Sequence, residues 1–268
     1  MEWNAVPSDD WVGHTNSDDA GVVRGLLGPI MLRALEPQGK TILDLGCGEG
    51  NFARAIKAEG AARASGLDIS PDFIKAAQAR DPQGEYHVQD IETGSFFGPE
   101  SFDAMSAFMV LMYMRDLDAA YRNIAKMLRP GGRLVASISS PYYGYPVGSW
   151  SWALEPGPYP HVDPRQRGGR TIAKQVKAVL GGRYDYMLQI RNYFESRVTT
   201  KRLSGADVMH VHRPFSEYLN IAGKNGLKLK TMLEPRITPE LLARYPDEPV
   251  ARALTDVPVL IVLVLEKV

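Results

Sequence analysis

The chain is 268 residues long, 44% apolar and 23% charged, with a formal net charge of zero. Such a length accommodates one α/β domain with insertions, or a domain with a small cap, and the composition is that of an ordinary globular protein. The even charge argues against a general polyanion binder, and a lone cysteine, Cys47, excludes an internal disulfide or a cysteine-based zinc cluster. Met1-Glu2-Trp3-Asn4 lacks the basic start and apolar core of a signal peptide. The longest apolar runs, Val257–Leu265 and Ala107–Met114, are under half a membrane span, so a cytoplasmic location is expected.

In chain order, an amphipathic helix over Asp19–Leu35 leads into a strand at Thr41–Leu45. A helix at Asn51–Ala58 and a strand at Ala64–Asp68 follow. Pro71–Arg80 reads as a helix that Ser70 caps, with Pro71 in its first position. Strands are expected at Glu85–Gln89 and Ser101–Met109, then a helix over Asp116–Leu128. Arg129-Pro130-Gly131-Gly132 stops that helix before a strand at Arg133–Ser139. After Ser140 the pattern breaks into aromatics among glycines and prolines. A helix near Thr171–Leu180 and a strand-like run near Tyr186–Lys201 follow it. Regular alternation resumes with a helix at Pro214–Lys224 and a strand at Leu227–Glu234. Short helices near Pro239–Arg244 and Val250–Leu254 precede a last strand at Val257–Glu266. Alternating strands and helices predict an α/β, Rossmann-like, mostly parallel seven-stranded sheet covered on both faces. The whole chain reads as one domain, with 1–20 an N-terminal lid segment and about 142–205 a cap inserted between the fifth and sixth core elements.

The chemistry concentrates in Thr41-Ile42-Leu43-Asp44-Leu45-Gly46-Cys47-Gly48-Glu49-Gly50. A strand runs into an acid and a loop with glycine at every second position, which lets a ligand lie against bare backbone. The next helix would turn its free N–H groups toward that ligand. Eighteen residues after Gly50, Asp68 ends a second strand, followed by Ile69. An acid so placed accepts hydrogen bonds from ribose hydroxyls. A dinucleotide site asks for Gly-x-Gly-x-x-Gly, and position 51 here is Asn. Asp44 is unwelcome beside a pyrophosphate but useful near an ammonium or sulfonium.

Asp-x-Gly-x-Gly-x-Gly, with Asp68, Val88-Gln89-Asp90-Ile91, Ser101-Phe102-Asp103-Ala104 and Leu128-Arg129-Pro130-Gly131-Gly132, resembles the class I S-adenosylmethionine-dependent methyltransferases. The likeness covers roughly residues 41–138, close to the methyltransferase type 11 domain. His212-Arg213-Pro214 is similar to the tail of the quinone-methyltransferase-like small-molecule group. The resemblance implies S-adenosyl-L-methionine as cofactor and no metal. It implies a methionine half along Gly46, Cys47 and Gly48, an ammonium near Asp44, and a ribose at Asp68 and Ile69. Asp90 and Ile91 would take the adenine, with Ala107 and Phe108 facing the sulfonium.

For the acceptor the residues leave more open. Trp11, Tyr142, Tyr143, Trp150 and Trp152 suit either core filling or an apolar planar ligand. His212, and His161 after it, are the candidate general bases for a phenol or amine. Residues 160–205 hold ten basic side chains against three acids, which fits a solvated face, an anionic acceptor or an acidic carrier domain. A small-molecule acceptor is the leading expectation. RNA or protein acceptors and a non-catalytic nucleotide-binding module stand behind it, nucleic acid being disfavoured by the missing Asn-Pro-Pro-Tyr motif after the fourth strand. Nothing in the sequence fixes an oligomeric state.

Overall fold

The computed structural model describes residues 18–94, 97–142, 148–154, 184–190, 193–203, 206–244 and 258–268. Helix α1 (Asp18–Leu35) contains Pro29, which removes one helical hydrogen bond. Packing outweighs that loss. Val22, Leu27, Met31 and Leu35 are fully buried, each stabilising by about 1.5–3 kcal/mol against a proline cost of about 3.

Strand β1 (Thr41–Leu45) enters the sheet with its last four residues buried. Helix α2 (Asn51–Ala58) begins after Gly50 without a side-chain cap, and β2 (Arg63–Asp68) follows. Ser70 then caps α3 (Pro71–Arg80) by accepting the Phe73 N–H at 3.4 Å, with Pro71 opening the helix. After β3 (Glu85–Val88) and β4 (Phe102–Phe108) comes a 3₁₀ turn at Leu111–Tyr113. Asp116 caps α4 (Leu117–Met127) through the Ala119 N–H at 2.9 Å. Strand β5 (Leu128–Ser139) starts five residues earlier than the Arg133 expected from the Pro-Gly-Gly turn. Leu128 already pairs with Phe102, and 129–132 bulge out before Arg133 pairs with Ala104.

Two antiparallel ribbons lie between β5 and α5 (Phe215–Lys224), each pairing within itself. One joins β6 (Gly148–Leu154) to β7 (Tyr184–Ile190), the other β8 (Arg197–Leu203) to β9 (Ala206–His212). The single strand-like run expected at Tyr186–Lys201 is thus two strands in different ribbons, and β9 carries its ribbon past residue 205. The chain closes with β10 (Leu227–Leu233), α6 (Pro239–Arg244) and β11 (Leu260–Lys267). The helices expected at Thr171–Leu180 and Val250–Leu254 fall outside the described residues.

The main sheet runs β10-β11-β5-β4-β1-β2-β3, with β11 antiparallel to both neighbours and the remaining pairs parallel. Alternating side chains feed two cores. Leu43, Leu45, Met105, Ala107 and Leu134 pack on the α4 and α5 face. Ile42, Ala104, Val135 and Val262 pack on the face covered by α1 and α2. From β1 the chain winds one way to β2 and β3, and from β4 the other way. A crevice opens at that reversal, beyond the C-terminal ends of β1 and β4.

Candidate functional site

Immediately after β1 the backbone enters the left-handed region three times, at Gly46 (φ 62°), Gly48 (φ 54°) and Gly50 (φ 80°). Side chains resist that region, so the spacing of the glycines is a requirement of the loop. A Cβ at Gly46 would stand 2.6 Å from Cγ2 of Val110, filling the gap between the loop and the residues after β4. Cys47 packs into room left by Gly66, whose Cβ would fall 2.6 Å from the sulfur. Its thiol is pushed well up by burial, with Asp68 and Asp44 adding to the effect.

Asp68 fastens this loop to β2. Its Oδ2 accepts the Gly48 N–H and its Oδ1 the Ser70 N–H, both at 2.9 Å. Asp44 is 2% exposed and accepts the Ser106 hydroxyl at 2.6 Å. Burial pushes Asp44 up to about 7, opposed by Ser106 and reinforced by the charge of Asp68. Asp68 is raised to about 6, again by burial, against the backbone N–H groups of Ser70, Gly48 and Ile69. Neither acid has a cationic partner among the described residues. Each carboxylate oxygen retains capacity for a further donor. Two buried acids in this condition call for hydroxyls or a cation from a ligand.

Both acids open onto a cavity of about 540 Å³ at the crevice. Gly46, Cys47, Gly48, Ile69, Asp90, Ile91 and Phe108 join them on its walls. Asp90 turns its own loop, accepting the Glu92 N–H at 2.8 Å. Phe108 leans on Phe52 of α2, ring centroids 5.0 Å apart. Ala107 is the exception among the expected cofactor residues. Strand alternation points it to the other face of the sheet, away from Asp44, Ser106 and Phe108, where it is fully buried in the α4 and α5 core.

His212 also departs from expectation. It is 4% exposed, does not line the cavity, and one ring nitrogen lies 2.9 Å from the Tyr193 carbonyl. Burial lowers its pKa, against the pull of that carbonyl. A strand residue turned inward meets packing partners, not the rim position that its place before α5 suggested. Trp11, Tyr143 and His161 lie outside the described residues. Trp150 and Trp152 fall on β6, described through its backbone alone, opposite Leu188 and Tyr186. Tyr142 stacks on Tyr193 at 5.1 Å with ring planes 12° apart.

Among the cavity-wall residues that sequence reasoning missed are Arg24, Glu49 and Tyr113. Arg24 arrives from α1, and burial lowers its pKa against the charge of Glu49. Glu49, 5% exposed, is bonded by Arg54 at 3.0 Å and lies 3.4 Å from Arg80. Burial raises the Tyr113 phenol to about 12. The only signal in the sequence was Glu49, a charged residue inside a glycine loop. Arg24 and Tyr113 reach the site through packing between remote segments.

Residues 43–136 match the family described as a methyltransferase domain. Over 107 residues the chain is 34% identical to a ubiquinone biosynthesis O-methyltransferase of Xanthomonas axonopodis pv. citri, covering 38% of this chain and 44% of that protein. It is 33% identical over 131 residues to an O-methyltransferase of Penicillium expansum, covering 47% and 48%. The chain thus spans about half the length of the curated relatives it matches. Among solved structures, an S-adenosylmethionine-dependent methyltransferase from Mesorhizobium loti superposes with a TM-score of 0.68 at 25% identity, over 91% of this chain and 100% of the other.

Proposed function

From the class I S-adenosylmethionine-dependent methyltransferase domain that this chain carries, we propose that it transfers a methyl group to a small-molecule acceptor by in-line displacement. The observation that carries the reading is the pair of buried acids, Asp44 and Asp68, joined by a left-handed glycine loop at the reversal of the sheet. S-adenosylmethionine supplies, when bound, a carbon already activated by a positive sulfur. Asp68 would accept from the ribose hydroxyls and Asp90 from the adenine amine. Asp44 would meet the ammonium, and Arg24 the carboxylate borne by the same α-carbon of the methionine part. The bare backbone of Gly46 leaves the room that the methionine part needs.

With such a donor the protein needs no nucleophile of its own. Its work is to hold the acceptor in line and keep water out, and orientation alone is worth roughly 7–11 kcal/mol. Phe108, Val110 and Tyr113 are apolar and aromatic members of the cavity wall on which that exclusion would fall. On this reading the chain is one catalytic unit. Residues 1–20 cover the cofactor, about 142–205 shape the acceptor side, and the aromatic-rich insertion favours a planar acceptor.

The test incubates the purified protein with methyl-labelled S-adenosylmethionine and fractionated metabolites, RNA and protein, then follows the label by mass spectrometry. Label in small molecules is expected. Label confined to RNA or protein would replace the acceptor class, and no transfer with intact cofactor binding would leave a binding module.

A further inference from the structure

In the β8–β9 ribbon Arg197 stands opposite His212, and Thr199 opposite His210. Directly opposed residues share a face of a ribbon, as do residues two apart on one strand. One face therefore carries Arg197, His210 and His212, and both histidines are buried. The His210 ring meets Tyr113 edge-on, centroids 5.8 Å apart, and Tyr113 belongs to the cavity wall. His212 meets Tyr193, the ring on which Tyr142 is stacked. A row of side chains thus leads from the cavity to a pair of stacked phenols.

Arg197 is the unresolved member of that row. Its Nε and Nη2 are both withdrawn from solvent, and neither has a hydrogen-bond partner among the described residues. The neighbouring acid, Glu217, is engaged elsewhere, accepting the Ser196 hydroxyl and lying 3.4 Å from Nε of Arg213. Nε and Nη2 form the side of the guanidinium whose N–H bonds run parallel, the edge that takes two oxygens of a carboxylate or phosphate. Charged donors buried without an acceptor are costly, so this edge is built for a partner.

We propose that Arg197 anchors a carboxylate or phosphate group on the methyl acceptor, whose planar body lies toward the Tyr142–Tyr193 stack. The proposal rests on the methyltransferase reading and gives the acceptor its class, a planar molecule with an anionic end. It also gives a use to one cation of the basic stretch 160–205.

The test is calorimetric titration of the full chain saturated with S-adenosylhomocysteine, using 4-hydroxybenzoate, phenyl phosphate and the neutral 4-hydroxybenzamide. One of the two anions should bind at least about tenfold more tightly than the amide. Whichever anion leads identifies the group. Arg197→Met should erase the advantage and Arg197→Lys should keep part of it, since an ammonium retains charge but loses the fork. Thermal melting checks that both variants fold, and S-adenosylhomocysteine affinity should hold in each. Equal binding of anions and amide, no binding of either anion, or an anion preference that survives in Arg197→Met would overturn the proposal. Failure of the wild-type chain to bind S-adenosylhomocysteine would instead overturn the methyltransferase reading beneath it.

Discussion

Gly46 is the residue on which the cavity most directly depends. Its φ of 62° already disfavours any side chain, and an added methyl would press on Val110 at 2.6 Å. The fold has other anchors, so Gly46→Ala should cost about 1–2 kcal/mol of stability from the left-handed backbone alone. Cofactor affinity should fall further, by about tenfold to a hundredfold, as the crowded methyl and Val110 narrow the cradle. Adding Val110→Ala should return much of the lost affinity in calorimetric titration while leaving the backbone penalty in the melting temperature. No recovery in that double variant would mean that loop geometry, and not space, limits binding. Asp68 is a second test at this scale. Its two backbone bonds tie Gly48 and Ser70 to β2, so Asp68→Ala should weaken binding and loosen the loop together, visible as faster amide exchange at Gly48 and Ser70.

Among the elements, α2 and α3 are joined through one carboxylate. Glu49 lies within ion-pair distance of Arg54 on α2 and Arg80 on α3, and its side chain is 7% exposed. Both arginines reach solvent, so removing the acid leaves cations that water can recover. Glu49→Gln should therefore cost about 1–3 kcal/mol, a fall of several degrees in melting temperature. A control lies at Gly132, which does not line the cavity. A Cβ at Gly132 would stand 2.8 Å from the Arg129 carbonyl oxygen and 3.1 Å from that of Asp103, both backbone atoms that cannot swing aside. Gly132→Ala should destabilise by about 1–3 kcal/mol with cofactor affinity unchanged. The contrast between these elements and the ribbons explains what the sequence made legible. Helix α3 was readable to the residue because Ser70 and Pro71 act locally, and β1 because its apolar run ends in glycine. Strands β6 to β9 were not, because each is held by a partner strand rather than by its own pattern. Arg197, opposite His212, is invisible until that pairing is known. Asp44 and Asp68 were legible for the opposite reason, since both stand at the C-terminal end of a strand of the main sheet. Ala107 was misread by one step of strand alternation.

At the scale of the whole molecule, Asp44 and Asp68 link ligand binding to proton balance. Their folded values, about 7 and about 6, lie above the ordinary carboxyl value of 3.8. The folded, ligand-free chain then holds more protons than the unfolded chain between about pH 4 and 7. Its stability should accordingly decline as pH rises through that window. Glu85, held down to about 2 chiefly by Arg63, acts in the other direction, and the stability it contributes is present above pH 4.5 and lost only toward pH 2. On the proposed reading the cofactor reverses the sign for the two buried acids. An ammonium beside Asp44 and hydroxyls donating to Asp68 would both favour the ionised forms, so binding would expel whatever protons remain. Affinity for S-adenosylhomocysteine should rise from pH 5.5 to 7.5, the range kept below the titration of an α-amino group. The slope should approach tenfold per pH unit for each acid still protonated, and flatten above 7. Calorimetry in buffers of different ionisation enthalpy would count the protons released. Asp44→Asn should remove the upper part of the rise and weaken binding at pH 7.5, where the wild-type charge has formed. A wild-type affinity that stays level from pH 5.5 to 7.5 would mean that both acids are already ionised in the free protein. Burial would then have been overcome by water in the cavity, and the contribution of Asp44 would be charge without a switch.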